Sequence, residues 1–143
     1  MDVLLATYSQ TVLVLLDEYW IDLRRPLDER ARAALGAAGL NQPFAVISAW
    51  PPLGESHVKL AGRRATAHLR ARLIELGARP VDILAGSPDL RHREPSLAAC
   101  IPLPDALALA RELRQDAIFW FDGARFSIRW CDGRPESVLP LST

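Results

Sequence analysis

Lysine is almost missing from this chain: Lys59 stands alone among 17 basic residues, so nearly all the positive charge is guanidinium. We read that skew as a compositional habit of the source genome and not as chemistry. No sign of charge is in excess, because 17 acidic residues balance the 17 basic ones, and that neutrality argues against a dedicated nucleic-acid binder. Long apolar runs are absent too. The longest, such as Val12-Leu13-Val14-Leu15-Leu16, are strand-sized and fall far short of the roughly 18 residues a membrane span requires. No Lys or Arg precedes Arg24, so the basic start of a secretory signal is lacking. Cysteine is limited to Cys100 and Cys131, outside any C-x-x-C pair, which suits two buried thiols in a reducing cytoplasm. His57, His68 and His92 are scattered, and neither an H-E-x-x-H nor a calcium-type carboxylate cluster occurs, so no metal site is expected. Phosphate-binding glycine loops and a G-x-S-x-G elbow are likewise missing, and no cofactor is implied.

What remains is half hydrophobic and about a quarter charged, over 143 residues. That composition predicts one compact domain, residues 1–143, large enough to bury its own core without disulfides. Thr11 to Arg24 reads as two short strands broken at Asp17-Glu18. Asp28 is placed to cap a helix whose Ala31, Ala34, Leu35 and Ala38 recur at helical spacing, with Gly39 closing it. Phe44 to Trp50 is apolar nearly throughout and reads as a central strand, stopped by Pro51-Pro52. A long helix follows from about Val58 to Leu76, with Ala61, Ala65, Leu69, Leu73 and Leu76 as its core stripe.

Val81 to Ala85 and Ser96 to Ile101 read as strands joined by a charged loop from Gly86 to Pro95. A helix opened by Pro104 leads to the strand Ala117 to Phe121. Asp122-Gly123 then turns into Phe126 to Trp130, and the tail beyond Asp132 is expected to wrap loosely over the surface. The order from Phe44 to Phe121 is strand, helix, strand, strand, helix, strand, the βαββαβ string of ferredoxin-like folds. It predicts an α+β domain with a mixed sheet and helices packed on one face, extended by an N-terminal hairpin and helix and by a C-terminal strand.

Four places have residues suited to chemistry. In Arg91-His92-Arg93-Glu94, two guanidiniums can grip an oxyanion, His92 titrates near neutrality, and Glu94 is a candidate base; the same run also reads as a solvated hairpin loop. Ser48 and Trp50 end the central strand, as a ligand platform or as the rim of the core. Arg63, early in the long helix, opposes the helix dipole, which fits either a gripped anion or a stem lying along the helix with its head in water. Gln115 joins the last helix to a buried strand, as an amide for a ligand or as a cap. The aromatic cluster Phe119, Trp120, Phe121, Phe126 and Trp130 reads as core, with part of it open to use as a homodimer face on the C-terminal hairpin.

The stretch Phe44-Ala45-Val46-Ile47-Ser48-Ala49-Trp50-Pro51-Pro52, Arg63 and Leu69, Glu94-x-Ser96, and Leu109-Ala110 with Gln115-x-Ala117 together resemble the bacterial family catalogued as domain of unknown function 3293. That family has a Thr-Ala-aromatic-Asn-Pro strand end and an Asn at the start of the following helix. Here Ser48 stands for the Thr, Pro51 for the first Asn, and Gly62 for the second. The resemblance implies a small cytoplasmic protein and no assigned activity. The expected function is a non-enzymatic domain binding a small anionic, nucleotide-like ligand around Ser48, Trp50, Arg63, Arg91, His92, Arg93, Glu94 and Gln115. The alternatives are a hydrolase or transferase with Glu94 as general base, and a homodimeric interaction module.

Overall fold

The structure, a computed structural model, describes residues 2–49 and 58–142, with residues 58–61 described by backbone alone. Its elements in chain order are α1 (Val3–Ser9), β1 (Val12–Leu15), β2 (Tyr19–Asp22), α2 (Glu29–Ala37), β3 (Phe44–Ser48) and α3 (Val58–Glu75). They continue with β4 (Val81–Gly86), β5 (Arg93–Ala99), α4 (Leu103–Glu112), β6 (Ala117–Phe121), β7 (Phe126–Trp130) and β8 (Ser137–Val138). The Asp28 carboxylate accepts from the Ala31 amide at 2.8 Å and caps α2, while Gly39 and Gly77 follow α2 and α3 with positive φ.

All eight strands lie in one sheet, in the order β2-β1-β4-β5-β3-β6-β7-β8, and every neighbouring pair is antiparallel. The mixed sheet expected from the element order is therefore corrected. The helical crossovers do link strands that run the same way, β3 to β4 and β5 to β6. An oppositely directed strand is inserted between each such pair, β5 in the first case and β3 in the second, so no parallel neighbours arise.

The two crossover helices share one face of the sheet, as the element order predicts, while the N-terminal extension covers the other. Ala45 and Ile47 of β3, Leu97 and Ala99 of β5 and Ile118 of β6 pack against Leu69 and Leu73 of α3 and Ala106, Leu109 and Ala110 of α4. The alternate residues of the same strands point the other way. Phe44, Val46, Ala98 and Phe119 join Ala34 and Leu35 of α2, with Leu4, Leu5 and Tyr8 of α1 against them. Central strands that are apolar at nearly every position require cover on both sides, and the N-terminal helices supply the second layer. The sheet curls around this larger core, since Ile21 and Leu23 from one edge share it with Phe126 and Leu139 from the other.

Further expectations are corrected by local packing. β5 begins at Arg93, so Glu94 and Pro95 belong to a strand and not to the loop. The tail is tied down: β8 pairs with β7, and Leu139 is 2% exposed. Leu76, expected in the core stripe of the long helix, falls just past the end of α3 and is exposed. Cys100 is exposed and Cys131 half-buried; both thiols are free. The reading of the five aromatics from Phe119 to Trp130 as core holds: all are buried, with Trp130 donating its indole N–H to Ser137 at 3.2 Å. No described helix is long and apolar enough to cross a membrane.

Candidate functional site

β3 ends at Ser48, directly opposite Ser96 on β5. Glu94 precedes Ser96 by two residues, so strand alternation puts it on the same face, one step further toward the end of the sheet. The Ser48 hydroxyl donates a hydrogen bond to the Glu94 carboxylate. Ser96, 2% exposed, donates to the Glu94 carbonyl at 3.1 Å. The residues across from these on β4 are Ala85 and Ile83, so the carboxyl group has an apolar flank. Partial burial raises the Glu94 pKa above its ordinary value, and the Ser48 hydrogen bond only partly opposes the shift.

A third group comes from α1. Tyr8 packs its ring on Phe119 and Trp130, with centroids 5.6 and 5.7 Å apart. Burial, followed by the fields of Asp116, Glu94 and Cys131, pushes its hydroxyl pKa well above the usual phenol range. Tyr8 is therefore a neutral hydrogen-bond donor at every physiological pH. Hydroxyl donors near a carboxyl whose pKa is raised by burial can hold a polar group or transfer a proton.

The eight residues expected to form the site do not all meet. Ser48 and Glu94 do. Gln115 leads into β6, the other neighbour of β3, on the same end of the sheet; its backbone N–H closes α4 on the Ala110 carbonyl at 2.9 Å, and its amide also reaches the Leu113 carbonyl at 3.4 Å. Arg93 shares the α3 face with Leu97, on the opposite side of the sheet from Glu94, and is exposed. Arg91 and His92 are exposed in a turn held by the Ser87 hydroxyl and the Asp89 carboxylate; Arg91 itself lies 3.6 Å from Asp89. The charged loop thus satisfies itself, and Glu94 parts from it because adjacent strand residues face opposite ways. Arg63 is exposed on α3. Trp50 lies outside the described residues, as do Pro51 and His57. Among the described residues no His, Cys, Asp and Glu grouping suits a metal. Two clefts, of about 320 and 250 Å³, lie elsewhere and are lined by none of the eight.

Sequence reasoning missed Tyr8 and Asp116. The signal for Tyr8 was available: Asp2 before an apolar Leu4-Leu5 with Tyr8 one turn on is a capped, one-sided helix, and Asp2 accepts from the Leu4 amide at 2.7 Å.

The raised Glu94 pKa has a consequence for stability. Both folded and unfolded chains are protonated at this group below the unfolded value of 4.5, so its contribution is intact there. As pH rises from 4.5 through the higher folded value, the unfolded chain has already released the proton that the folded chain keeps, and stability falls. Glu94→Gln is expected to remove that decline and to raise the urea midpoint at pH 7, while matching the parent below pH 4. Equal pH slopes in the two proteins would contradict the buried carboxyl.

Comparison with curated proteins and with solved structures finds no match. A family described as a protein of unknown function (DUF3293) matches residues 47–118, half of the chain. The matched stretch runs from the end of β3 into β6 and contains Ser48, Glu94, Ser96 and Gln115, whereas α1 with Tyr8 lies before it. The chain belongs to this DUF3293 family.

Proposed function

We propose that this protein is a small-ligand-binding domain whose site lies at the end of β3, with Glu94 as its central polar group and Ser48, Gln115 and Tyr8 around it. The scaffold in this reading is a ferredoxin-like βαββαβ unit from β3 to β6. The order β4-β5-β3-β6 with antiparallel neighbours supports that assignment. The observation that carries the functional reading is the carboxyl of Glu94, partly buried against apolar neighbours and bonded by a hydroxyl. Burying a carboxyl that way works against stability, which is the mark of a group kept for a ligand. Because the nearby arginines face elsewhere, the ligand class is one that donates hydrogen bonds, such as an amine or a nucleobase-like group.

A thermal-shift screen with amines, nucleosides and polyols tests this reading. At least one class is expected to stabilise the parent protein. Glu94→Ala is expected to weaken that ligand about tenfold, roughly 1.4 kcal/mol, while the Arg91→Ala, Arg93→Ala double variant leaves it unchanged. Failure of every compound, or stabilisation that survives Glu94→Ala, overturns the proposal. A second reading, a hydrolase or transferase with Glu94 as general base, is favoured by the same raised pKa. It is distinguished by Glu94→Gln, which keeps hydrogen bonding to a ligand and abolishes proton abstraction.

A further inference from the structure

We propose that the cleft between the two edges of the curled sheet binds the phosphate group of a small phosphorylated molecule. The cleft holds about 320 Å³ and is lined from one edge by Asp22 and Arg25, from α2 by Arg32, and from the other edge by Arg125, Phe126 and Leu139. Its size is at the lower end of the range for small-molecule sites, which suits a sugar phosphate better than a dinucleotide.

Three arginines line this cleft in a chain whose net formal charge is zero; Arg25 is exposed and pairs with Asp22, whereas Arg32 and Arg125 do not pair with it. The one carboxylate in the lining, Asp22, is already engaged by Arg24 through two hydrogen bonds of 2.9 Å, and it lies 3.7 Å from Arg25. The Arg24 guanidinium holds its carboxyl below the ordinary range, so it stays ionised and occupied. Arg32 makes no ion pair among the described residues; it donates to the Ala124 carbonyl at 2.7 Å and to the Gly123 carbonyl at 3.4 Å. Those two bonds fix the guanidinium on the β6–β7 turn and leave other N–H groups for a ligand. Arg125 forms no ion pair among the described residues either. Its backbone N–H, with that of Ala124, is held by the Asp122 carboxylate at 3.0 and 2.8 Å, which makes the turn rigid.

Like charges gathered at a cleft repel, and the arrangement is relieved when an oxyanion enters. A tetrahedral phosphate offers three oxygens to three guanidiniums in the fork geometry that arginine favours. Leu139 and Phe126 border the cleft from the core but are 2% and 3% exposed, so the arginines supply most of its contact surface. The site lies outside the 47–118 family match and is separate from the Glu94 site, so neither proposal depends on the other.

Isothermal titration with ribose 5-phosphate, ribose, inorganic phosphate and succinate tests the inference on the full chain. Saturable binding of ribose 5-phosphate, weaker binding of inorganic phosphate and none of ribose are expected. Arg125→Gln and Arg32→Gln are each expected to weaken it about tenfold or more. Because Arg32 also braces the turn, Arg125→Gln decides the case if the other variant unfolds. Glu94→Gln and the Arg91→Gln, Arg93→Gln pair should bind like the parent. Absence of saturable binding, succinate binding as tightly, or an affinity indifferent to Arg125→Gln would overturn the proposal.

Discussion

Phe44→Ala is expected to lower the unfolding free energy by about 3–5 kcal/mol, a large share of what a domain of this size possesses. Phe44 is 0% exposed on β3, the strand flanked by β5 and β6 near the middle of the sheet. Its ring lies 5.2 Å from that of Phe121 and 5.8 Å from that of Phe126, and the latter two are 4.9 Å apart. Truncation removes the ring's own burial and also one member of a three-ring cluster, whose pairwise contacts add about 0.5–1.5 kcal/mol each beyond area. Because antiparallel neighbours hold β3 on both sides, the strand cannot shift to fill the space, which keeps the cost near the upper end. Urea unfolding followed by tryptophan fluorescence measures it. Phe44→Leu, which retains most of the volume, should cost much less. A loss under about 1 kcal/mol for the alanine variant would mean that Phe44 is not packed in this three-ring cluster.

The elements that the sequence announced are those with strong local periodicity. α2 has a capping aspartate and apolar residues at helical spacing, β3 is a near-continuous apolar run, and β6–β7 has an Asp-Gly turn between aromatic strands. α1 was harder to see because a seven-residue helix has no stability of its own; it exists by docking Leu4, Leu5 and Tyr8 on the sheet. The start of β5 was hidden for a different reason. Arg93, Glu94 and Pro95 have the composition of a loop, yet pairing with β4 continues through Gly86 opposite Arg93, and only the partner strand reveals it. That misreading grouped Glu94 with Arg91 and Arg93. In a loop the charges would cluster; in a strand, alternation separates them. The Ser48–Glu94 contact is non-local, set by the register of β3 on β5, and register is not a local property of either segment. Both residues were recognisable as candidates, but their partnership was not.

Leu139→Ala is expected to cost about 2–3 kcal/mol, although a tail with two prolines gives little reason to expect any loss. The residue is 2% exposed, its amide donates to the Phe126 carbonyl at 2.9 Å, and it packs in the same core as Phe126 and Ile128. Val138 beside it is 36% exposed, so Val138→Ala should change stability by less than about 0.5 kcal/mol. The contrast between neighbours is the useful measurement, since a loosely attached tail would make both substitutions equally silent. Leu139 follows the edge strand β8 and has a smaller side chain than Phe44, which is why the expected cost is below that of Phe44→Ala. Leu139 also lines the three-arginine cleft, so ribose 5-phosphate should stabilise the parent more than Leu139→Ala if the tail helps to form the binding surface. Equal stabilisation of the two proteins would separate the tail's packing role from the cleft and leave the arginines as the whole of that site.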